Sequence, residues 1–184
     1  MSVKSDEWIR RMAEEHELIV PFEPDQVRKG ISFGVSSYGY DISLSNDFKL
    51  PRSRDVKEID PKKHSDDLFE AITADSLLIP AGSYLLGRTR EYFKIPRDVL
   101  TICTGKSSYA RCGLIVNVTP FEPEWEGYAT LALVNGSGLP LRVYAGEGIA
   151  QLLFLSAESE CLVSYADKKG KYQGQKTITL SKSD

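Results

Sequence analysis

Lys106, Ser107, Ser108 and Arg111 fall within one six-residue window of "TGKSSYARCGL", between the apolar runs "DVLTIC" and "LIVNVT". Fixed cations and hydroxyls are costly to bury without partners. Serine hydroxyls and backbone N–H groups can donate to phosphate oxygens, lysine adds a point charge, and arginine adds a planar bidentate fork. The window therefore reads as a grip for a small anion. A second reading stays open: a short helical turn whose cations pair with Asp or Glu elsewhere in the chain. The tripeptide "GKS" is not a P-loop. That motif needs a glycine where this chain has Leu100, and Gly113 and "LIVNVT" cut off any following helix.

Other catalytic sets are missing. "GxSxG" does not occur, and neither His16 nor His64 falls at a strand end that would suit a triad. The H-x-E and P-C-x-x-C signatures of zinc nucleobase deaminases do not occur either. Cys103, Cys112 and Cys161 form no CxxC pair, and an odd, sparse set fits reduced thiols. Both histidines lie in charged segments and are expected at the surface.

The elements that must position the window read as mainly β. "SDEWIRRMAEEHEL" is an amphipathic helix that Ser5 or Asp6 can cap, with Trp8, Ile9, Met12 and Ala13 on one face. From about Ile31 the pattern changes to short strand-like runs cut by Gly, Pro, Asn and Asp. These are "YDISLSNDFKL", "SLLIPAGSYLLGRT", "VLTICTG", "LIVNVTP", "YATLALVN", "LPLRVYAGEGIAQLLFL" and "KTITL". "PRSRDVKEIDPKKHSDDLFEAI" reads as a polar surface excursion. The tail, 165–184, is rich in Gly, Lys and Gln and is expected to be mobile until something binds it. Such spacing predicts a barrel or double-sheet roll rather than a βαβ array. At 184 residues, 41% apolar and 27% charged, the chain fits one soluble domain. A net charge of −3 argues against a nucleic-acid binder and directs the basic window toward a small ligand. No apolar run reaches membrane-span length and "MSVKSDEWIRR" lacks a signal-peptide core, so the expected location is the cytoplasm.

The motifs "GKSSYARCGLIVNVTPFEPEWEGYATL", "VYAGEGIAQLLF" and "KGKYQGQ", with "SSYGYDI" upstream, occur in an order that resembles the dCTP deaminases of the dUTPase superfamily. The resemblance covers nearly the whole chain, as a single domain over 1–184. It implies a distorted β-barrel or double-sheet roll with an N-terminal helix and a few short helices. It also implies a homotrimer with sites between subunits, and hydrolysis of dCTP to dUTP and ammonia. Magnesium would ride on the triphosphate without zinc, and dTTP would act as an inhibitor at the same site. Position by position, Lys106, Ser107, Ser108, Tyr109, Ala110 and Arg111 resemble the triphosphate and active-site loop, with Ser107 and Arg111 holding the attacking water and the catalytic acid. Glu122 and Trp125 resemble the residues bordering the deoxyribose. Thr130, Leu131 and Ala132 match the base-reading strand. Gln151, Tyr165, Lys171 and Gln175 resemble the set that closes over the phosphates.

One position departs from the pattern. The family reads T-L-E after "WEGY", and that glutamate carries every proton of the reaction, whereas this chain has Ala132. Alternation puts Tyr128, Thr130, Ala132 and Val134 on one strand face, with no acid among them. Alanine cannot carry a proton, so the chain is expected to bind dCTP and deaminate it very slowly. A designed substitution fits, and so does a natural member that has lost deamination or acts on a different nucleotide; the intact remainder of the motif set favours the former. Two other function classes stay open. One is a dUTP diphosphatase, or a bifunctional enzyme, using Glu122, although "KGKYQGQ" lacks the phenylalanine-containing glycine motif that caps uracil. The other is a dNTP-binding protein without chemistry.

Overall fold

The computed structural model describes residues 2–52, 58–63 and 66–182. His64 and 53–57 of the polar excursion lie outside the described residues. Helix α1 (Asp6–His16) forms where expected. Ser5 caps it by accepting the Trp8 N–H, Ile9 and Ala13 are buried, and Trp8 and Met12 pack against the core from its edge. His16 is exposed at its end.

The strands are β1 (Ser2–Val3), β2 (Ile19–Val20), β3 (Gly34–Ser36), β4 (Gly39–Pro51), β5 (Phe69–Thr73) and β6 (Ser76–Ile79). They continue with β7 (Tyr84–Lys94), β8 (Val99–Gly105), β9 (Leu114–Asn117), β10 (Glu126–Asn135), β11 (Leu141–Tyr144) and β12 (Gly148–Ser156). The short helix α2 (Ser107–Ala110) sits between β8 and β9. Among the described residues, ten strands form one sheet, with the path β1-β12-β4-β7-β10-β9, while β6 and β11 pair separately.

Long β4 curls this sheet. Its first half pairs with β12 through Tyr40–Ser43, and its second half pairs with β5 and β7 after a register shift between Leu44 and Phe48. The wrap encloses Tyr40, Ile42, Leu44, Phe48, Leu85, Phe93, Leu131, Leu133 and Phe154. At about 25 cal/mol per Å² of apolar surface, this burial is the main force holding the roll together. The architecture is the mainly β roll that the strand spacing predicts. No described helix is long and apolar enough to cross a membrane.

Two segments differ from the sequence reading. The end of the polar excursion is strand β5, because Phe69 is buried and its neighbours complete the edge of β4. "KTITL" alternates like a strand but forms none: the Thr179 N–H goes to the Thr130 hydroxyl, at 3.1 Å, instead of to a backbone ladder.

Candidate active site

Strand β10 positions the centre of the site. Its even-numbered residues share the face that alternation assigns to Tyr128, Thr130, Ala132 and Val134, while Leu131 is fully buried on the opposite face. Leu131 therefore has only its backbone to offer a ligand. Ala132 lies opposite Asn117 on β9 and Leu86 on β7. A cavity of about 290 Å³ opens on this face. It is lined by Thr130 and Ala132, by Glu122 and Trp125 of the preceding turn, and by Tyr165 and Gln175 of the tail. Leu86 and Asn117 join them, as do Tyr172 and Thr179–Ser181.

The turn before β10 is rigid for identifiable reasons. Trp125 is buried, its ring centroid is 4.8 Å from that of Phe121, and its indole N–H donates to the Tyr172 carbonyl at 2.9 Å. The aromatic thus serves the core and the cavity wall at once. Glu122 is the one carboxylate in the described cavity lining, and it accepts from the Lys168 ammonium at 2.5 Å. Thr130 and Ala132, the β10 residues in that lining, carry no carboxylate.

The tail is laid along this wall by its own hydrogen bonds. Tyr165 N–H donates to the Pro123 carbonyl, Gly174 N–H to Glu126, and Tyr128 N–H to Gln175, each at 2.9 Å. The Thr130 hydroxyl donates to Gln175 Oε1 at 3.0 Å while accepting from Thr179. The Tyr165 phenol oxygen accepts the Tyr172 N–H, and its ring packs so closely on Gly170 that a Cβ there would fall 2.2 Å from it. Only glycine fits that approach. Gly127 has φ 146° and runs so near the Gln175 backbone that it too excludes a side chain. Lys171 reaches the Lys182 carbonyl at 2.7 Å.

None of Lys106–Arg111 lines the described cavity. Lys106 pairs with Asp41 at 2.5 Å, and the two side chains are 11% and 5% exposed. Gln26 also donates to Asp41, at 3.1 Å. Part of the cation-rich window is thus internally paired, as the helical-turn reading proposes. Tyr109 is buried, and its phenol oxygen accepts the Tyr144 N–H; burial pushes its pKa up to about 12. Arg111 folds back to donate to the Ser107 carbonyl at 2.9 Å. Ser107, Ser108, Ala110 and Arg111 present outward. Gln151 donates to the Ser36 hydroxyl at 3.0 Å on the β12–β4 side of the sheet.

The structure thus gathers Glu122, Trp125, Thr130, Ala132, Tyr165 and Gln175 around one cavity and leaves the Lys106–Arg111 loop elsewhere on the same chain. Residues that the sequence reading did not single out are Asp41, Gln26, Asn117, Lys168 and Tyr172. Asp41 lies in "SSYGYDI", but the pairing that gives it meaning spans 65 positions.

The curled sheet resembles the fold of the 2'-deoxycytidine 5'-triphosphate deaminase from Agrobacterium tumefaciens, with a TM-score of 0.66 at 15% identity. That match covers 84% of this chain and 48% of the other, so it speaks for the fold. Residues 3–157 match the dCTP deaminase-like family, and the chain belongs to it. It is 56% identical over 188 residues to the dCTP deaminase of Acidovorax sp. (strain JS42), and 55% identical to that of Ralstonia pickettii (strain 12J). Both alignments span the whole of each chain.

Proposed function

We propose that this chain is a dCTP deaminase scaffold that holds dCTP in the β10 cavity and turns it over very slowly, because Ala132 stands at the position of the proton carrier. One observation carries the reading. The cavity wall on β10 presents Thr130 and Ala132 and no carboxylate, and the one carboxylate in the described lining, Glu122, lies on the preceding turn, paired with Lys168. In the reaction, water adds to C4 of the cytosine ring and loses a proton. Protons then pass to the ring nitrogen and to the departing amine, and ammonia leaves. With no acid or base among the β10 residues that line the cavity, a loss of about 10² to 10⁴-fold or more is expected, the usual range for general acid–base assistance.

The other roles are those that the family resemblance assigns, and the lining of the cavity by Glu122, Trp125, Thr130, Tyr165 and Gln175 supports them. Trp125 and Glu122 border the deoxyribose, Thr130 and the backbone of Leu131 face the base, and Tyr165, Lys171 and Gln175 close over the phosphates. Because Lys106–Arg111 stands apart from the cavity, the loop serves the cavity of a neighbouring subunit, as in a homotrimer. There Ser107 and Arg111 hold the water, Lys106, Ser108, Tyr109 and Ala110 shape the phosphate grip, and Gln151 joins them. Magnesium enters as the counter-ion of the triphosphate, and dTTP competes for the same cavity.

Calorimetric titration with dCTP–magnesium, followed by product analysis, tests this. The expected result is saturable binding with ammonia release near the limit of detection. Pyrophosphate formed from dUTP would show instead that Glu122 activates water at the phosphates. Failure to bind either nucleotide would sink the reading.

A further inference from the structure

Arg97, in the turn between β7 and β8, lies outside the described cavity lining, yet it joins the two segments that build the cavity's outer wall. One terminal nitrogen bonds Glu124 at 2.6 Å. The other bonds Asp167 at 2.8 Å and the carbonyls of Cys161 and Leu162 at 3.2 and 3.3 Å. Nε stands 3.8 Å from Glu160.

Each arm ends beside cavity residues. Glu124 lies between Glu122 and Trp125 at φ 60°, a left-handed conformation unusual for a glutamate, and its carbonyl accepts from the Gln173 amide of the tail at 2.9 Å. Asp167 closes a reciprocal pair with buried Ser164: the Ser164 N–H donates to its carboxylate, and its own N–H donates to the Ser164 hydroxyl. Between them sits Tyr165, which lines the cavity.

We propose that Arg97 is a positioning residue that fixes the start of the C-terminal tail against the "FEPEW" turn, so that the phosphate-closing residues beyond Tyr165 are set before nucleotide arrives. Ordering a segment in advance removes that entropy cost from the binding step. A planar guanidinium suits the task, because it can serve two carboxylates and two carbonyls in fixed directions, whereas a lysine ammonium on its flexible stem cannot hold that fork. The proposal rests on the dCTP reading of the cavity for its consequence, but not for the tether itself.

Hydrogen exchange on the full chain without nucleotide tests the tether in Arg97→Met, Arg97→Lys and Asp167→Asn. Amides of 164–175 are expected to exchange about tenfold faster in Arg97→Met and Asp167→Asn, the scale of one lost charge-assisted hydrogen bond, and by less in Arg97→Lys. Amides of β4, β7 and β10 should stay unchanged. Affinity for dCTP should fall by a similar factor while affinity for dCMP, which lacks the outer phosphates, holds. Unchanged tail exchange in Arg97→Met overturns the tether, and equal weakening of dCTP and dCMP overturns the positioning role. Should Arg97→Met fail to fold, exposed Asp167→Asn decides in the same way. Faster tail exchange in a protein whose parent binds no dCTP would leave the tether standing and remove the nucleotide reading.

Discussion

The loop at Lys106–Arg111 and the cavity on β10 differ in how each meets its own polar groups. The loop is largely satisfied within its chain. Lys106 is locked on Asp41, the Tyr109 hydroxyl is used by Tyr144, and Arg111 caps its own turn. The cavity is assembled from stretches far apart in sequence, the "FEPEW" turn, β10 and the tail, and it keeps open space at Ala132. The loop is pre-formed and faces outward, and none of its residues lines the described cavity; the proposed sharing of sites between subunits would bring the two together.

The largest expected effect sharpens the contrast at its centre. Ala132→Glu should raise ammonia release from dCTP by about 10² to 10⁴-fold, measured at saturating dCTP. Restoring a carboxylate to the cavity should leave the loop's pairing with Asp41 as it is.

On the loop side, Asp41→Asn leaves the nearly buried Lys106 ammonium without its counter-charge. Loss of one partner of a buried pair costs about 3 kcal/mol, read as a lowered urea midpoint. No such loss is expected from changing Glu122, whose pair with Lys168 is roughly half exposed and worth little.

A third prediction touches neither region. Glu91 is 1% exposed, receives the Ser43 N–H and hydroxyl, and is pushed by burial up to about 7. Its folded pKa lies above the unfolded value of 4.5. The unfolded chain therefore binds fewer protons across that window, and stability falls as pH rises from about 4.5 to 7. Glu91→Gln should remove this slope, raising stability at pH 8 by about 3 kcal/mol with little change at pH 4. Thermal melts across pH read the difference, and a slope that survives the substitution would exclude Glu91 as its source.

The smallest effect is at the turn that walls the cavity. Trp125→Phe keeps the contact with Phe121 but loses the bond to the Tyr172 carbonyl, about 1 kcal/mol. It should weaken dCTP severalfold and leave the loop untouched.

Much of this was legible in the sequence. Helix α1, strands β8 and β10, the roll and the face carrying Thr130 and Ala132 follow from period and capping alone. The order of the motifs pointed to the family. The same alternation places the Leu131 side chain in the core, so that only its backbone can meet a ligand. Asp41 and Arg97 were not legible, because their meaning comes from contacts 65 and 70 positions away. Strand β5 was hidden by charged neighbours around one buried phenylalanine, and "KTITL" misled because a side-chain hydroxyl captured the backbone donor that a strand would have used.

The shared-site account is tested most directly by mixing chains. The present protein carries Arg111 in its loop and Ala132 on β10. The double variant Ala132→Glu/Arg111→Met carries the glutamate and lacks the loop arginine. Each alone should release almost no ammonia from dCTP. After co-refolding, mixed assemblies should deaminate, because the loop of one chain completes the cavity of the next. If the mixture stays silent while Ala132→Glu alone is active, each site belongs to a single chain and the account is wrong.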